Sequence, residues 1–217
     1  MIEILYRDSL VVVAKKPRGV LSEGSAPGGM PALVGATLGR VPLTVHRLDR
    51  ETAGIMVFAF DKAAAARLSA SLQEGKFRKE YAAVVHGVPS PREGCLRDLL
   101  FRDAARGKSY LVDRPRRGVR EAVLTYRTEA VFSGDAGDLS LVRVRLGTGR
   151  THQIRVQFAG HGMPLYGDGR YGGRERGPLG LYAASLAFPH PADGRHMSFS
   201  LPLPYEEEGF SFFAPLA

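Results

Sequence analysis

The chain has 217 residues, of which 44% are hydrophobic, and its 30 Lys and Arg outnumber its 22 Asp and Glu to give a net charge of +8. A length of this order suits one large domain or two small ones with a sizeable core. The longest apolar runs, Leu10 to Ala14 and Gly54 to Phe60, fall far short of the roughly 18 residues that cross a bilayer, and no basic segment followed by an apolar stretch opens the chain as a secretory signal would.

One cysteine, Cys95, leaves neither an internal disulfide nor a cysteine cage for metal, and a reducing cytoplasm is the compartment that fits. The positive charge favours a polyanionic partner, and its placement sharpens that expectation. Arg97, Arg102, Arg106, Lys108, Arg114, Arg116, Arg117 and Arg120 crowd one segment with few acids. Such a segment is either a solvated hairpin or, folded over a groove, a set of phosphate contacts.

In chain order, Ser9 to Ala14 reads as a buried strand ended by the turn Lys15-Lys16-Pro17-Arg18-Gly19. Residues 22–39 are rich in Gly and Pro and carry no period for a long helix, so a loop is expected. Gly54 to Phe60 is a second strand, after which Asp61 caps a helix through Ala64, Leu68 and Leu72 to Gly75. Lys79 to Gly87 alternates as a strand, with Tyr81, Ala83 and Val85 on one face. Gly118 to Glu129 and Leu139 to Leu146 are two more strands suited to antiparallel pairing. Thr151 is placed to cap a short helix from His152 to His161, closed by Gly162. An irregular stretch follows through Gly167, Gly169, Gly172 and Gly173, and Gly180 to Phe188 and Met197 to Leu201 are the last strands. This order predicts an α+β fold, a single domain over residues 1–217 with a central mixed, largely antiparallel sheet and flanking helices.

Spacing excludes several chemistries. In Arg102-Asp-Ala-Ala-Arg-Gly-Lys-Ser an arginine occupies the first glycine position of a phosphate-binding loop. In Gly147-Thr-Gly-Arg-Thr-His the third glycine of a dinucleotide fingerprint is His152. No Gly-x-Ser-x-Gly elbow occurs, and the six histidines lack the paired spacing of a zinc hydrolase. What remains is His46-Arg-Leu-Asp-Arg-Glu-Thr-Ala-Gly54, a charged knot directly before an apolar strand. Its carboxylate, Asp49, lies between Arg47 and Arg50, which favour the ionised form. An anion so placed can be a nucleophile or a base.

That segment resembles the H-R-L-D-x-x-T-x-G motif of the RluA-type family of RNA pseudouridine synthases. Lys16-Pro-Arg-Gly19 resembles the family's K-P-x-G turn, Lys79-Glu-Tyr81 its tyrosine strand, and Gly149-Arg-Thr-His-Gln-Ile-Arg155 its G-R-T-H-Q-I-R helix. Pro164-Leu-Tyr-Gly-Asp168 and Tyr171-Gly172 extend the likeness. It implies an enzyme that needs no cofactor or metal, breaks the glycosidic bond of a uridine in RNA, turns the base and rejoins it through C5. By position, Asp49 is then the catalytic carboxylate, Tyr81 the ring beside the base and its proton acceptor, and Arg155 the partner of Asp49. Arg47 resembles the residue that fills the gap left by the flipped base. Arg50, Thr52, Lys16, Arg150 and Gln153 become RNA-contacting candidates, His46 and His152 either positioning or RNA-contacting residues rather than acid or base, with Arg114, Arg116 and Arg117 as a basic patch.

A stacked uridine cannot present C1′ to a carboxylate, so it must be extruded at a cost of a few kcal/mol. A guanidinium that stacks and donates suits the vacated space. Attack of Asp49 on C1′, addition to C6 and abstraction of a ribose proton all stay open. Gln157 stands where members commonly have His, and Leu181-Tyr-Ala183 where L-H-A is common. With eight residues before Ser9, the small S4-type domain of many relatives is not expected. The expected partner is structured RNA, ribosomal or transfer, with no membrane, no required protein partner and a monomeric state. Two rivals are an RNA-binding or chaperone module on the same fold and a glycosidase-like hydrolase, which would want a second carboxylate about 5 to 9.5 Å away.

Overall fold

The computed structural model describes residues 2–24, 28–173 and 175–216, and part of the loop expected over residues 22–39 therefore lies outside the described residues. The chain divides into two compact units, Met1–Lys79 with Tyr182–Pro202, and Glu80–Leu181 with Leu203–Ala217.

The first unit is built on the sheet order β1-β2-β4-β10, with β11 against β10 and β3 against β4. Its strands are β1 (Ile4–Arg7), β2 (Val11–Lys16), β3 (Leu43–Thr44), β4 (Ala53–Ala59), β10 (Leu181–Pro189) and β11 (His196–Ser200). Every residue of β4 is buried, which fits its apolar run AGIMVFA. Alternate residues Val11, Val13, Ile55 and Val57 pack with Ala64 and Leu68 of helix α2 (Lys62–Gln73) and with Phe77, Leu186 and Phe188. Asp61 caps α2 as expected, its carboxylate accepting from Ala64 N at 2.7 Å, and Gly75 takes the left-handed conformation after its end. The pairing of β4 with β10 is parallel, so the sheet is mixed, whereas β2 with β4 and β10 with β11 are antiparallel.

Three elements of this unit escaped the sequence reading, among them the two-residue β3, antiparallel to β4. Strand β1 pairs antiparallel with β2. Helix α1 (Met30–Leu38) occupies the end of the expected loop; Pro31 in its first turn and left-handed Gly39 at its end are the stop signals that frame it.

The second unit is an antiparallel sheet in the order β5-β9-β8-β6-β7, from β5 (Arg78–His86), β6 (Glu93–Asp103), β7 (Lys108–Val112), β8 (Val119–Gly134) and β9 (Gly137–Leu146). The arginine-rich segment is thus the β6–β7 hairpin and the link to β8. Helix α3 (Gln153–Gly160) lies against this sheet through Val156, packed with Leu100 and Ala122. The expected Thr151 cap is corrected. The residue before the helix is His152, left-handed at φ 56°, and its side chain makes no cap bond. Together the elements are α+β with strands mostly antiparallel. Among the described residues, no helix is long and apolar enough to cross a membrane.

Candidate active site

The loop from Val45 to Thr52 enters β4, and its main chain is fixed from several sides. Ser22 Oγ donates to Leu48 O at 2.6 Å and accepts from Leu48 N at 2.9 Å. Gly19 N donates to Arg50 O at 2.9 Å, and Arg50 Nε returns a bond to Gly19 O at 2.8 Å. Arg18 Nη1 reaches Glu51 O at 2.8 Å, and a turn closes from Thr52 N to Asp49 O at 3.0 Å. The K-P-x-G turn and the Asp49 loop are therefore one hydrogen-bonded body. Within it Leu48 is buried, Asp49 is half-buried, and Arg47 and Arg50 are exposed. Arg47 Nη1 lies 3.1 Å from Glu23, a surface pair. Gly54 follows at φ +126°, where a Cβ would run into the Ala183 carbonyl. That explains the glycine of the motif by the close approach of β10.

Two of the expected RNA contacts around this loop, Lys16 and Thr52, are corrected by their burial, and of the two roles open to His46 its bond to the main chain of β4 is a positioning one. Lys16 is fully buried, and its ammonium donates to Pro17 O and Arg50 O, each at 2.9 Å. Burial pulls its pKa down to about 8, against the attraction of Glu51 and Asp49. His46 is buried, and its Nε2 accepts from Val57 N in the middle of β4 at 3.1 Å. Burial and the nearby Lys79 charge hold it well below the usual histidine range, so it is neutral with its proton on Nδ1. Thr52 is also buried, at 2% exposure. Lys16 and His46 brace the loop from inside through these bonds, and Thr52 is buried beside them.

In the second unit, Tyr81 sits on β5 opposite Val144 of β9 and is 6% exposed. Arg155, on α3, is 6% exposed and grips Asp168, itself 1% exposed, through Nε at 2.7 Å and Nη2 at 2.8 Å. Its guanidinium carbon lies 5.4 Å from the ring centre of Tyr171. The Tyr171 hydroxyl accepts from Ser109 N and meets His152 Nδ1, both at 2.9 Å.

Gln153 is another correction. It is 3% exposed, and its Oε1 accepts from Thr148 Oγ1 and Arg150 N while its Nε2 donates to Val123 O, so it ties down the loop before α3. Gln157, fully buried, donates to Asp98 at 2.7 Å. The departure from the family's histidine is therefore internal. Arg150 is exposed and donates to Glu121 O at 2.9 Å, and His152 is half-buried. Arg114, Arg116 and Arg117 are exposed, with Arg116 over the Phe101 ring at 4.7 Å.

The structure thus gathers His46, Arg47, Asp49, Arg50, Thr52 and Lys16 in the first unit, and Tyr81, Arg155, His152, Gln153 and Arg150 in the second. Asp168 and Tyr171 lay in segments that matched the family, yet nothing assigned them a part. The signal was present: a buried arginine needs an anion, and Asp168 is the one acid from His161 to Gly173.

The chain matches the sequence model described as RNA pseudouridylate synthase over residues 10–160. It is 35% identical over 211 residues to the dual-specificity RNA pseudouridine synthase RluA of Salmonella typhi, covering 92% of each chain. It is 34% identical over 227 residues to ribosomal large subunit pseudouridine synthase D of Vibrio cholerae, covering 94% of this chain and 68% of that one. Among solved structures, human RNA pseudouridylate synthase domain containing 4 superposes with a TM-score of 0.75 at 25% identity, over 97% of this chain and 90% of that one. This chain belongs to the RNA pseudouridylate synthase family, and as such it is an isomerase.

Proposed function

We propose that the protein converts specific uridines of structured ribosomal or transfer RNA to pseudouridine, with Asp49 as the catalytic carboxylate. The observation that carries this reading is the way the Asp49 loop is built: a half-buried carboxylate on a turn pinned by seven named hydrogen bonds, directly before a fully buried strand. Catalysis gains most from groups whose geometry is fixed before substrate arrives. Arg47 is exposed beside Asp49 and is assigned to the space vacated by the flipped base. Tyr81, on a rigid strand, is assigned to stack on the uracil and take the proton from C5. Arg155 is assigned to the charge of Asp49, and Arg114, Arg116 and Arg117 to phosphates. No cofactor takes part, and the protein acts as a monomer in the cytoplasm. The two units work as one catalytic domain, because the family match runs through the boundary between them.

The test is pseudouridine mapping on RNA from cells with and without the protein, paired with turnover of purified variants. Asp49→Asn keeps the shape and loses the anion; isomerisation should fall below about a thousandth of wild type, a loss of at least about 4 kcal/mol in transition-state stabilisation, while RNA affinity stays close to wild type. Turnover above that level rejects Asp49 as the catalytic carboxylate. Release of free uracil would instead identify a hydrolase, and RNA binding without any modified uridine a non-catalytic module.

A further inference from the structure

A guanidinium does not lose its charge, so burying Arg155 is tolerable only where an anion holds it. Asp168 does so side-on, through Nε and Nη2 together, which fixes the plane of the group and places Nη1 outside the pair. The guanidinium carbon lies over the Tyr171 ring, 5.4 Å from its centre. Its hydroxyl then leaves the arginine and bonds elsewhere, to the amide of Ser109 on β7 and to His152 at the start of α3.

Ser109 Oγ in turn donates to Thr151 O at 2.8 Å, and Arg170 Nη1 donates to Gly107 O at the hairpin turn at 2.9 Å. The loop from Asp168 to Tyr171 therefore holds Arg155 on one side and the β6–β7 hairpin on the other. That hairpin bears Arg102 and Arg106, both exposed. Burial keeps the Tyr171 hydroxyl above the ordinary tyrosine range, and it stays protonated at neutral pH.

We propose that Asp168 and Tyr171 are positioning residues for the isomerisation, holding Arg155 in one orientation and keying that orientation to the basic hairpin. This rests on the assignment of Arg155 to the reaction. A purely structural loop would lose stability on mutation and would slow the reaction whether or not Arg155 were present.

The experiment uses the full chain, transcribed ribosomal and transfer RNAs carrying tritium at C5 of uridine, and single-turnover tritium release beside filter binding of the same RNA. Tyr171→Phe keeps the ring and removes the hydroxyl. Release should slow about 10- to 100-fold, the scale of a misplacement of up to about 1 Å, with RNA affinity within about twofold. In an Arg155→Lys background the same change should alter the rate by less than about twofold, because residues acting through one partner are not additive.

A second measurement does not depend on turnover. The Arg155 Nε proton, assigned by its disappearance in Arg155→Lys, should exchange slowly with solvent in the wild type, faster in Asp168→Glu, and should shift in Tyr171→Phe. Equal slowing of release in both backgrounds, or an Nε proton that exchanges as fast in the wild type as in Asp168→Glu, overturns the proposal. If Arg155→Lys turns over like the wild type while the Nε proton is protected as expected, the assignment of Arg155 to the reaction has failed and the positioning has not.

Discussion

Among the described residues each unit has one lysine or arginine that is almost wholly buried, Lys16 and Arg155, and the two are satisfied in different ways. In the first unit the Lys16 ammonium donates to the carbonyls of Pro17 and Arg50. In the second, Arg155 is held by both oxygens of Asp168. Carbonyl dipoles offset only part of the cost of removing a charge from water, and the lysine responds as an acid can: its pKa falls to about 8. An arginine has no such exit, so its environment must supply a full negative charge. The teaching is that a lysine braces a loop by making hydrogen bonds, whereas an arginine in the same degree of burial commits the fold to a second charged residue.

Breaking the second arrangement should be the costliest change. Asp168→Ala leaves the Arg155 charge buried and unanswered by its carboxylate, and should lower unfolding stability by about 3 to 5 kcal/mol in urea denaturation. A loss under 1 kcal/mol would mean that water or another group can replace Asp168, and the contrast between the two cations would collapse.

The first arrangement is tested by pH. Lys16 and Lys79 both have folded pKa values near 8, below the ordinary 10.5. Between these values the unfolded chain binds more protons than the folded one, so stability rises with pH by up to about 1.4 kcal/mol per unit for each lysine. Unfolding midpoints measured from pH 8 to 10 should show that rise, and Lys16→Met should halve its slope because Lys79 keeps its share. A slope unchanged in Lys16→Met would show that Lys16 is not the group that titrates.

Arg50 gives the smallest effect. It belongs to the same loop, donates to Gly19 O and is exposed, so Arg50→Ala should cost less than about 1 kcal/mol of stability. A loss matching that of Asp168→Ala would show that charge rather than burial sets the scale.

Much of this was legible from residues alone. The apolar run of β4, Asp61 as the cap of α2, the alternation of β5 and the antiparallel β8–β9 pair all rest on periodicity or on a local side-chain bond. The family motif marked the loop that carries Asp49. What was not legible depends on partners distant in the chain. Ser22 bonds to Leu48 across 26 residues and Lys16 to Arg50 across 34, so Lys16, Thr52 and Gln153 read as polar residues available to RNA when Lys16 and Gln153 are internal braces and Thr52 is buried. Helix α1 was hidden for a different reason: its residues follow a run of Gly and Pro, and the buried positions Met30, Pro31 and Val34 give too short a stripe to stand out. The left-handed His152 stands in place of the side-chain cap expected from Thr151, since local propensity does not report the contacts that Ser109 and Tyr171 make with this turn.

The parallel pairing of β10 with β4 has a consequence in time. The first unit needs residues 182–202, yet its other part ends at Lys79. On a ribosome adding about 5 to 20 residues per second, the roughly 100 intervening residues take about 5 to 20 seconds to appear. Throughout that interval Ile55, Val57 and Leu68 lack Leu186 and Phe188, the partners that complete their core, and the edge of β4 at Ala53 and Gly54 has no strand beside it. The second unit has its five strands and α3 emerged before β10 is made. The carboxylate loop, encoded early, therefore gains its finished foundation late, and the nascent chain carries an open, apolar sheet edge for about half of its synthesis, the kind of surface that chaperones shield.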